Sequence, residues 1–112
     1  MVSENDLQRA LLGALPARLP SLRLFRRMVG SAEVRGTTVS FGLKGQCDLH
    51  GARMGGQAVE VELKSATGKM SEEQKRWKTW CVSWGIQHYC LVARRNETLS
   101  QTMDRWIAEL TL

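Results

Sequence analysis

Apolar and charged residues alternate strictly along the segment Val59–Lys64, which reads Val-Glu-Val-Glu-Leu-Lys. A period of two is the period of a β-strand, so Glu60, Glu62 and Lys64 are predicted to share one face of a strand. The apolar residues then share the other face. The pattern predicts a strand with one apolar face and one charged face.

A second short run precedes this strand. Residues 46–50 surround Asp48 with apolar neighbours, and the glycine-rich stretch 51–56 separates the two runs. A tight turn near Gly55 would join them as an antiparallel hairpin. In that hairpin Asp48 faces Glu62.

Two facing carboxylates are unfavourable neighbours. Unit charges ~5 Å apart at an effective dielectric of ~20 repel by ~3 kcal/mol, and like charges directly opposite each other destabilise a sheet. A cation between them would remove this cost. Asp48, Glu62, the backbone carbonyl of Leu63 and several waters would supply the oxygen ligands that Mg²⁺ prefers, and Lys64 would add a positive charge for a phosphate. The alternative is an exposed hairpin with a solvated charged face.

Helical and strand periods follow one another along the rest of the chain. Ser3 is a good N-cap, and the stripe of Glu4, Leu7, Gln8, Leu11 and Leu15 predicts a first helix from Glu4 to Leu15 that ends at Pro16. Apolar-rich runs predict strands or strand approaches at Leu22–Val29 and Thr37–Phe41.

A second helix begins after the hairpin. Ser71-Glu72-Glu73-Gln74 matches a capping box, and Gly85 supplies the C-terminal stop. Residues 87–93 predict a short strand, and a last helix of about residues 98–110 presents five apolar side chains: Leu99, Met103, Trp106, Ile107 and Leu110. The order predicts an α/β domain with a mixed sheet covered by helices.

Three tryptophans fall on the second helix at helical spacing. Its inner face would carry Trp77, Trp80 or Cys81, and Trp84. Such indoles could stack on unpaired bases. Because apolar residues at this spacing usually pack inward, we favour core positions for them.

Length and composition favour one small domain away from the membrane. The chain has 112 residues, enough for one modest core. No apolar stretch approaches ~18 residues, and the N-terminus lacks the order of a signal peptide. We therefore expect a cytoplasmic protein without membrane contact.

The three cysteines are an odd set without close pairing. They fit reduced, buried thiols better than a disulfide framework. His50 shares a face with Asp48, and His88 shares one with Cys90, so a zinc site can be imagined from Cys47, His50, Cys81 and Cys90. Structural zinc sites usually show paired ligands at short spacing, which favours core positions for the thiols.

Basic residues flank the carboxylates in sequence. The net charge is +5, from sixteen Lys and Arg against eleven Asp and Glu. Five arginines precede the two strands and five cations follow them: Arg18, Arg23, Arg26, Arg27 and Arg35, then Lys64, Lys69, Lys75, Arg76 and Lys78. A phosphate backbone passing the carboxylates would meet cations on both sides. The alternative is an ordinary basic surface on which these residues are scattered.

Three segments carry a resemblance to a known family. Residues 45–49 read Gly-Gln-Cys-Asp-Leu, residues 61–65 read Val-Glu-Leu-Lys-Ser, and residues 67–77 read Thr-Gly-Lys-Met-Ser-Glu-Glu-Gln-Lys-Arg-Trp. Together they closely resemble the VRR-NUC domain, a branch of the PD-(D/E)XK nuclease superfamily. The similarity covers nearly the whole chain, which implies one such domain over residues 1–112 with a mixed β-sheet flanked by helices.

The resemblance implies metal-dependent phosphodiester hydrolysis. Asp48 takes the place of the metal-binding Asp, Glu62 that of the second carboxylate ligand, and Lys64 that of the lysine that orients or activates the attacking water. The expected cofactor is Mg²⁺ or Mn²⁺, in agreement with the independent interpretation of the hairpin. Cys47 replaces a Pro that often precedes the Asp, which does not affect the ligand itself.

Three further residues remain open between two roles. Gln74 resembles a catalytic Gln of this branch, but it also completes the capping box of its helix. Glu4 resembles an acidic ligand from the first helix, although an acid there also stabilises the helix dipole. Glu60 is either an outer ligand or solvated. We expect Arg26, Arg27, Lys69 and Lys75 to contact DNA.

The expected function is that of a DNA endonuclease, with two alternatives. Short free-standing members of this branch are encoded by phages or prophages, which implies a bacterial host cell, a homodimer and branched DNA such as a four-way (Holliday) junction as the substrate in DNA repair. One alternative is a DNA-binding module that keeps the fold without cleavage. The other is a structure-tolerant nickase.

Overall fold

The computed structural model describes residues 2–28 and 30–112. These residues form three helices and six strands. The helices are α1 (Glu4–Arg18), α2 (Glu72–Ser83) and α3 (Leu99–Thr111). The strands are β1 (Leu22–Arg26), β2 (Gly30–Val34), β3 (Thr37–Phe41), β4 (Leu49–Arg53), β5 (Ala58–Lys64) and β6 (Gln87–Val92).

Four of the strands form one mixed sheet in the order β1-β4-β5-β6. The pairs β1/β4 and β4/β5 are antiparallel, whereas β5 and β6 are parallel. Parallel neighbours need a crossover connection, and α2 lies within it. The prediction of an α/β domain with a mixed sheet is therefore confirmed.

The strands β2 and β3 form a separate two-stranded hairpin. The sequence pattern predicts one run over Leu22–Val29, but β1 ends at Arg26 and the pattern missed β2. Val29 lies outside the described residues. The turn of this hairpin contains Arg35 and Gly36, both in the left-handed region with φ of 51° and 77°, a conformation typical of two-residue hairpin turns.

The main core lies between the sheet and the helices α1 and α3. It contains Leu7, Leu11 and Leu15 of α1, packed with apolar residues of the strands and of α3. The apolar face of β5, with Val59, Val61 and Leu63, belongs to this core. Each buried side chain of this size contributes about 1.5–3 kcal/mol. The predicted alternation of β5 is confirmed. Its apolar residues face the core, and Glu60, Glu62 and Lys64 lie on the opposite face.

The first helix continues past the proline that was expected to end it. Pro16 lies inside α1, which ends at Arg18, so the predicted end at Leu15 is wrong. Pro16 lies in the last turn and has no amide N–H, so the helix lacks the one hydrogen bond that this residue would donate. The end of the helix still closes, because the amide N–H of Leu19 donates to the carbonyl of Leu15 at 2.8 Å. Burial of Leu15 and Leu19 in the core stabilises this extra turn.

The predicted helix caps are confirmed: Ser3 caps α1, Ser71 caps α2 with a complete capping box, and Gly85 follows α2 with φ of 76°. The sequence analysis did not identify the capping box of α3, in which Thr98 is the cap. Of the five apolar residues expected in the core from α3, only Leu99 is exposed. It is the first residue after the cap, where the helix has only begun to face the sheet.

The core positions favoured for the tryptophans of α2 are wrong for two of them. Cys81 is fully buried against the sheet, but Trp80 is 43% exposed and Trp84 is 72% exposed. Helix α2 packs mainly against β6. Its outer face therefore carries two large apolar side chains on the surface.

None of the helices in the described part of the chain has both the length and the apolar character needed to cross a membrane.

Candidate active site

The two carboxylates expected to face each other lie at the open end of the β4–β5 hairpin. Leu49 pairs with Val61 and His50 with Glu60, a register that places Asp48 opposite Glu62. The hairpin turn contains Gly55 and Gly56, whose φ angles of 97° and 98° are ones that glycine adopts without strain. The predicted hairpin and its register are confirmed.

Each carboxylate accepts a hydrogen bond from the backbone of the opposite segment. The amide N–H of Leu63 donates to Asp48 Oδ2 at 3.0 Å, and the amide N–H of Asp48 donates to Glu62 Oε2 at 3.2 Å. Glu62 is only 2% exposed. The alternative of a solvated charged face is therefore wrong at this position.

Burial and the neighbouring charge change the acidity of Glu62. Removal from water disfavours the ionised carboxylate, and the Asp48 carboxylate repels it, so the pKa of Glu62 rises to about 8. The ammonium of Lys64 acts in the opposite direction. The site therefore holds a carboxyl group that keeps its proton at neutral pH while no cation is bound.

Two donors converge on the same oxygen of Glu62. Lys64 Nζ lies 3.5 Å from Glu62 Oε1, and Gln74 Nε2 donates a hydrogen bond to that atom. Gln74 Oε1 meanwhile accepts from the amide N–H of Ser71 at 2.9 Å. The capping role and the contact with the site are therefore not alternatives: one side chain performs both, because its oxygen and its nitrogen have different partners.

A small cavity of about 90 Å³ opens beside Asp48. Its other lining residues are Leu63 of β5 and Glu4, Asn5 and Gln8 of α1. The first turn of α1 thus brings Glu4 to the rim of the site, on an exposed part of the helix. In the described residues Glu4 does not join Asp48 and Glu62 closely enough to hold a metal ion with them, and its role as a ligand stays a prediction.

The backbone carbonyl of Leu63 points toward the cavity side of β5. The carbonyl of Lys64 accepts from the amide N–H of Ala93, on the β6 side. Successive carbonyls of a strand point to opposite edges. The Leu63 carbonyl therefore lies on the edge where its own N–H meets Asp48.

A glycine fixes the loop that carries Asp48 against α2. Gly45 has φ of 98°, and a Cβ atom there would lie 2.5 Å from the backbone carbonyl oxygen of Glu73. A larger residue would push this loop away from the start of α2. Since Gln74 follows Glu73, the close approach keeps Asp48 and the amide of Gln74 in one site.

Glu60 is neither solvated nor placed as an outer ligand. It is buried and accepts hydrogen bonds from both terminal nitrogens of Arg27 and, at 2.9 Å, from Trp77 Nε1. The hydrogen bond with Glu60 raises the pKa of the Arg27 guanidinium. The sequence pattern predicted the direction of Glu60 but missed these partners, since one lies 33 residues upstream and nothing local marks it.

The four cations expected to contact DNA have different surroundings. Arg26, Lys69 and Lys75 are exposed, and Lys75 lies 3.3 Å from Glu72 on the same helix. Arg27 has its ion-pair partner inside the protein. Its contact with DNA remains a prediction, and the role that the structure gives it is to neutralise Glu60.

The cysteines are free thiols. Cys47 Sγ lies 3.3 Å from His88 Nε2, and burial raises the pKa of Cys47 and, to about 11, that of Cys81. Cys90 is half-buried. Across residues 2–28 and 30–112, no three side chains of His, Cys, Asp or Glu come together closely enough to hold a metal ion. The imagined zinc site is therefore not assembled.

No family model, curated protein or solved structure matches this chain. The resemblance to the VRR-NUC domain consequently rests on the residues quoted for it and remains a prediction.

The raised pKa of Glu62 predicts how the stability of the metal-free protein depends on pH. The folded protein keeps this proton up to about pH 8, whereas the unfolded chain releases it near pH 4.5. The folded state binds the extra proton between these values, so the free energy of unfolding falls as the pH rises through this window. We expect the melting temperature in EDTA to fall by about 5 °C or more, and Glu62→Gln to remove that part of the decrease.

Wild type must be compared with Glu62→Gln because His88 also titrates. Burial lowers the pKa of His88, which makes the free energy of unfolding rise with pH. His88 is present in both, so its effect cancels. Glu33→Gln, the same change at an exposed position, is the control. Equal pH profiles for wild type and Glu62→Gln would contradict the prediction.

The double role of Gln74 can be separated from simple capping by a matched pair of variants. Gln101 occupies the same capping-box position in α3, where its side chain accepts from the Thr98 amide at 2.9 Å. Gln101→Glu keeps that acceptor and should change stability little. Gln74→Glu also keeps its cap but places a carboxylate against Glu62, so we expect a loss of about 1–3 kcal/mol near pH 8.5. Urea titrations measure both; equal losses would reduce Gln74 to a cap.

Proposed function

We propose that this protein is a divalent-metal-dependent DNA endonuclease with a PD-(D/E)XK-like arrangement of strands and helices. The observation that carries the proposal is the facing pair of half-buried Asp48 and buried Glu62, with Lys64 Nζ 3.5 Å from Glu62 Oε1. Two carboxylates and a lysine at one strand end supply ligands for a cation and a charge for a phosphate. The mixed sheet and the α2 crossover after β5 support the same proposal.

The donor set fits a hard cation. Mg²⁺ is usually held by one or two carboxylates and keeps several waters, so the pair of Asp48 and Glu62 is sufficient on the protein side. The carbonyl of Leu63 lies on the same edge, and Glu4 lines the adjoining cavity. A proton now offsets the repulsion in the pair, and a divalent cation would offset it more completely.

Each residue then has a definite task. The bound ion would supply Lewis-acid polarisation of a phosphoryl oxygen and lower the pKa of a water. Gln74 donates to Glu62 Oε1 and fixes that carboxylate from the start of α2. Lys64 brings its positive charge to the position where negative charge develops on the phosphate. Leu63 fixes Asp48 through its amide N–H.

A pure DNA-binding module is the second candidate, and the carboxylate pair disfavours it. A module that only binds phosphates gains nothing from two facing acids that repel them. Its support is the net charge of +5 and the exposed cations Arg26, Lys69 and Lys75. A nuclease needs these cations as well, so they do not discriminate.

Branched DNA and a homodimer complete the proposal. The resemblance to free-standing phage or prophage domains supports both. A four-way junction has approximate two-fold symmetry, and a two-fold dimer would present one active site to each of two related strands. A monomer would instead introduce single nicks.

The central prediction concerns the two carboxylates. Asp48→Asn and Glu62→Gln should each lower the Mg²⁺- or Mn²⁺-dependent cleavage of DNA at least about 100-fold, a loss expected for a metal ligand or its orienting partner. DNA affinity in EDTA at neutral pH should rise for Asp48→Asn, which removes an acid that repels phosphates, and stay the same for Glu62→Gln, because Glu62 already carries a proton there. Cleavage of labelled junction, flap, hairpin and linear duplex DNA, with and without metal, measures the first effect, and gel shifts in EDTA measure the second.

The controls make the same chemical changes away from the site. Asp104→Asn on α3 and Glu33→Gln on β2 replace exposed acids and should keep wild-type cleavage. Full activity of Asp48→Asn or Glu62→Gln would disprove the site assignment. Wild-type cleavage that persists in excess EDTA would disprove the metal requirement.

A further prediction tests the dimer and the junction together. Resolution of a junction requires two matched incisions, so a supercoiled plasmid with an extruded cruciform should become linear within one binding event. Light scattering should give twice the mass of the chain, as expected for a standard interface of roughly 800 Å² per partner. A monomer that releases only nicked plasmid would leave the nickase as the correct description.

A further inference from the structure

The three tryptophans of α2 form a continuous stack along the helix. The rings of Trp77 and Trp80 lie 4.9 Å apart with planes inclined by 19°, and those of Trp80 and Trp84 lie 5.8 Å apart at 30°. Exposure rises along the stack to 72% at Trp84. We call these three residues the indole stack.

The stack is fixed relative to the candidate active site. Its first ring donates from Trp77 Nε1 to Glu60, two residues before Glu62 on β5. The guanidinium of Arg27 lies 5.8 Å from the centre of the same ring. The stack thus begins beside the catalytic strand and leads away from it along α2.

A groove of about 440 Å³ runs along one side of the stack. It is lined by Leu43, Lys44, Glu73, Arg76, Trp77 and Trp80. Leu43 is 63% exposed and lines the groove together with Trp80, so the groove has an apolar surface. Large exposed apolar surfaces of this kind are typical of binding sites.

The charges around the groove identify the occupant. Glu73 is paired with Lys44 and Glu72 with Lys75, at 3.6 and 3.3 Å. Arg76 forms no salt bridge in the part of the chain that the structure describes. The acids are thus neutralised and cationic charge remains. A second copy of this face would bring like charges together, whereas a polyanion complements it.

We propose that the indole stack binds unpaired nucleotides, with a base stacked on the open face of Trp84, which Trp80 supports from the other side, and with the phosphates near Arg76. The inference deepens the proposed function, on which it rests for the choice of DNA. Aromatic rings accept any base because every base has a π-face. Ten residues separate Gln74 from Trp84, a helical rise of about 15 Å, which matches about four stacked nucleotides at ~3.4 Å each. A single-stranded segment on the stack leads toward Glu62.

The test measures binding without cleavage. Wild type, Trp84→Ala, Trp80→Ala and Trp84→Phe are titrated in EDTA with a labelled oligothymidylate of about 12 nucleotides and with a duplex of the same length. We expect Trp84→Ala and Trp80→Ala to lose about tenfold in single-strand affinity and to change little on the duplex. Trp84→Phe should keep most of the affinity. Quenching of tryptophan fluorescence by the single strand should weaken in the Ala variants.

Two controls accompany these variants. Leu99→Ala removes an exposed apolar side chain at the start of α3, a helix that packs against α1, and should have no effect on either DNA. Melting temperatures should be unchanged for Trp84→Ala, since its ring is mostly in solvent. Arg76→Gln should weaken single-strand binding and reduce its salt dependence.

Three results would overturn the inference. One is unchanged single-strand affinity in both Ala variants, and another is an equal loss on single strand and duplex. The third is a wild-type dimer that Trp84→Ala dissociates, which would show that a second copy covers the stack. A wild type that binds single strands through Trp84 but never cleaves DNA would refute the nuclease and leave this inference intact. A wild type that cleaves DNA but binds single strands equally well with or without the Trp84 side chain would refute this inference and leave the nuclease proposal intact.

Discussion

The close approach of two facing carboxylates, half-buried Asp48 and buried Glu62, is the constraint around which this domain is organised. If both were ionised with Glu62 shielded from water, they would repel by about 3 kcal/mol. The chain reduces that cost locally: backbone amides donate to both, and Lys64 and Gln74 converge on one oxygen of Glu62. Burial and the charge of Asp48 raise the pKa of Glu62 to about 8. The proton that Glu62 then keeps removes the remaining repulsion. The pair persists because the hairpin register leaves neither acid another position.

The two faces of β5 divide stability and chemistry between them. Val59, Val61 and Leu63 pack into the core with α1 and α3, and this burial holds the strand in its register. A shift of one residue would exchange the faces. The polar face is held by specific partners: Arg27 and Trp77 donate hydrogen bonds to Glu60. Helix α2 is therefore attached to the sheet through polar contacts beside Asp48 and Glu62. The apolar core therefore positions Glu60 and Glu62, and these two acids in turn position α2 through Trp77 and Gln74.

Features with a local physical cause could be predicted from the sequence. The alternation in β5 and the glycine-rich turn specify the hairpin, and the cap at Ser3 and the capping box at Ser71 specify the starts of α1 and α2. Features that depend on distant packing could not. Pro16 stays within α1 because Leu15 and Leu19 are buried. The partner of Glu60 is Arg27, across 33 residues. Helical spacing identified the tryptophans as one face of α2, but spacing alone does not tell which face meets the sheet.

Helix α2 links the candidate active site to the exposed indole stack. At its start, the amide of Gln74 holds Glu62, while three residues later Trp77 holds Glu60. A helix is stiff over this length, so any group bound at Trp84 is fixed at a set distance from the carboxylates. Exposed indoles contribute little to folding, and buried acids weaken it. Both features carry a cost in stability that the core under α1 and α3 offsets, and both lie on the face of the sheet that this core leaves open. The two costs fall on one helix and one strand, which is the arrangement expected when a polyanion is both bound and cut on the same face.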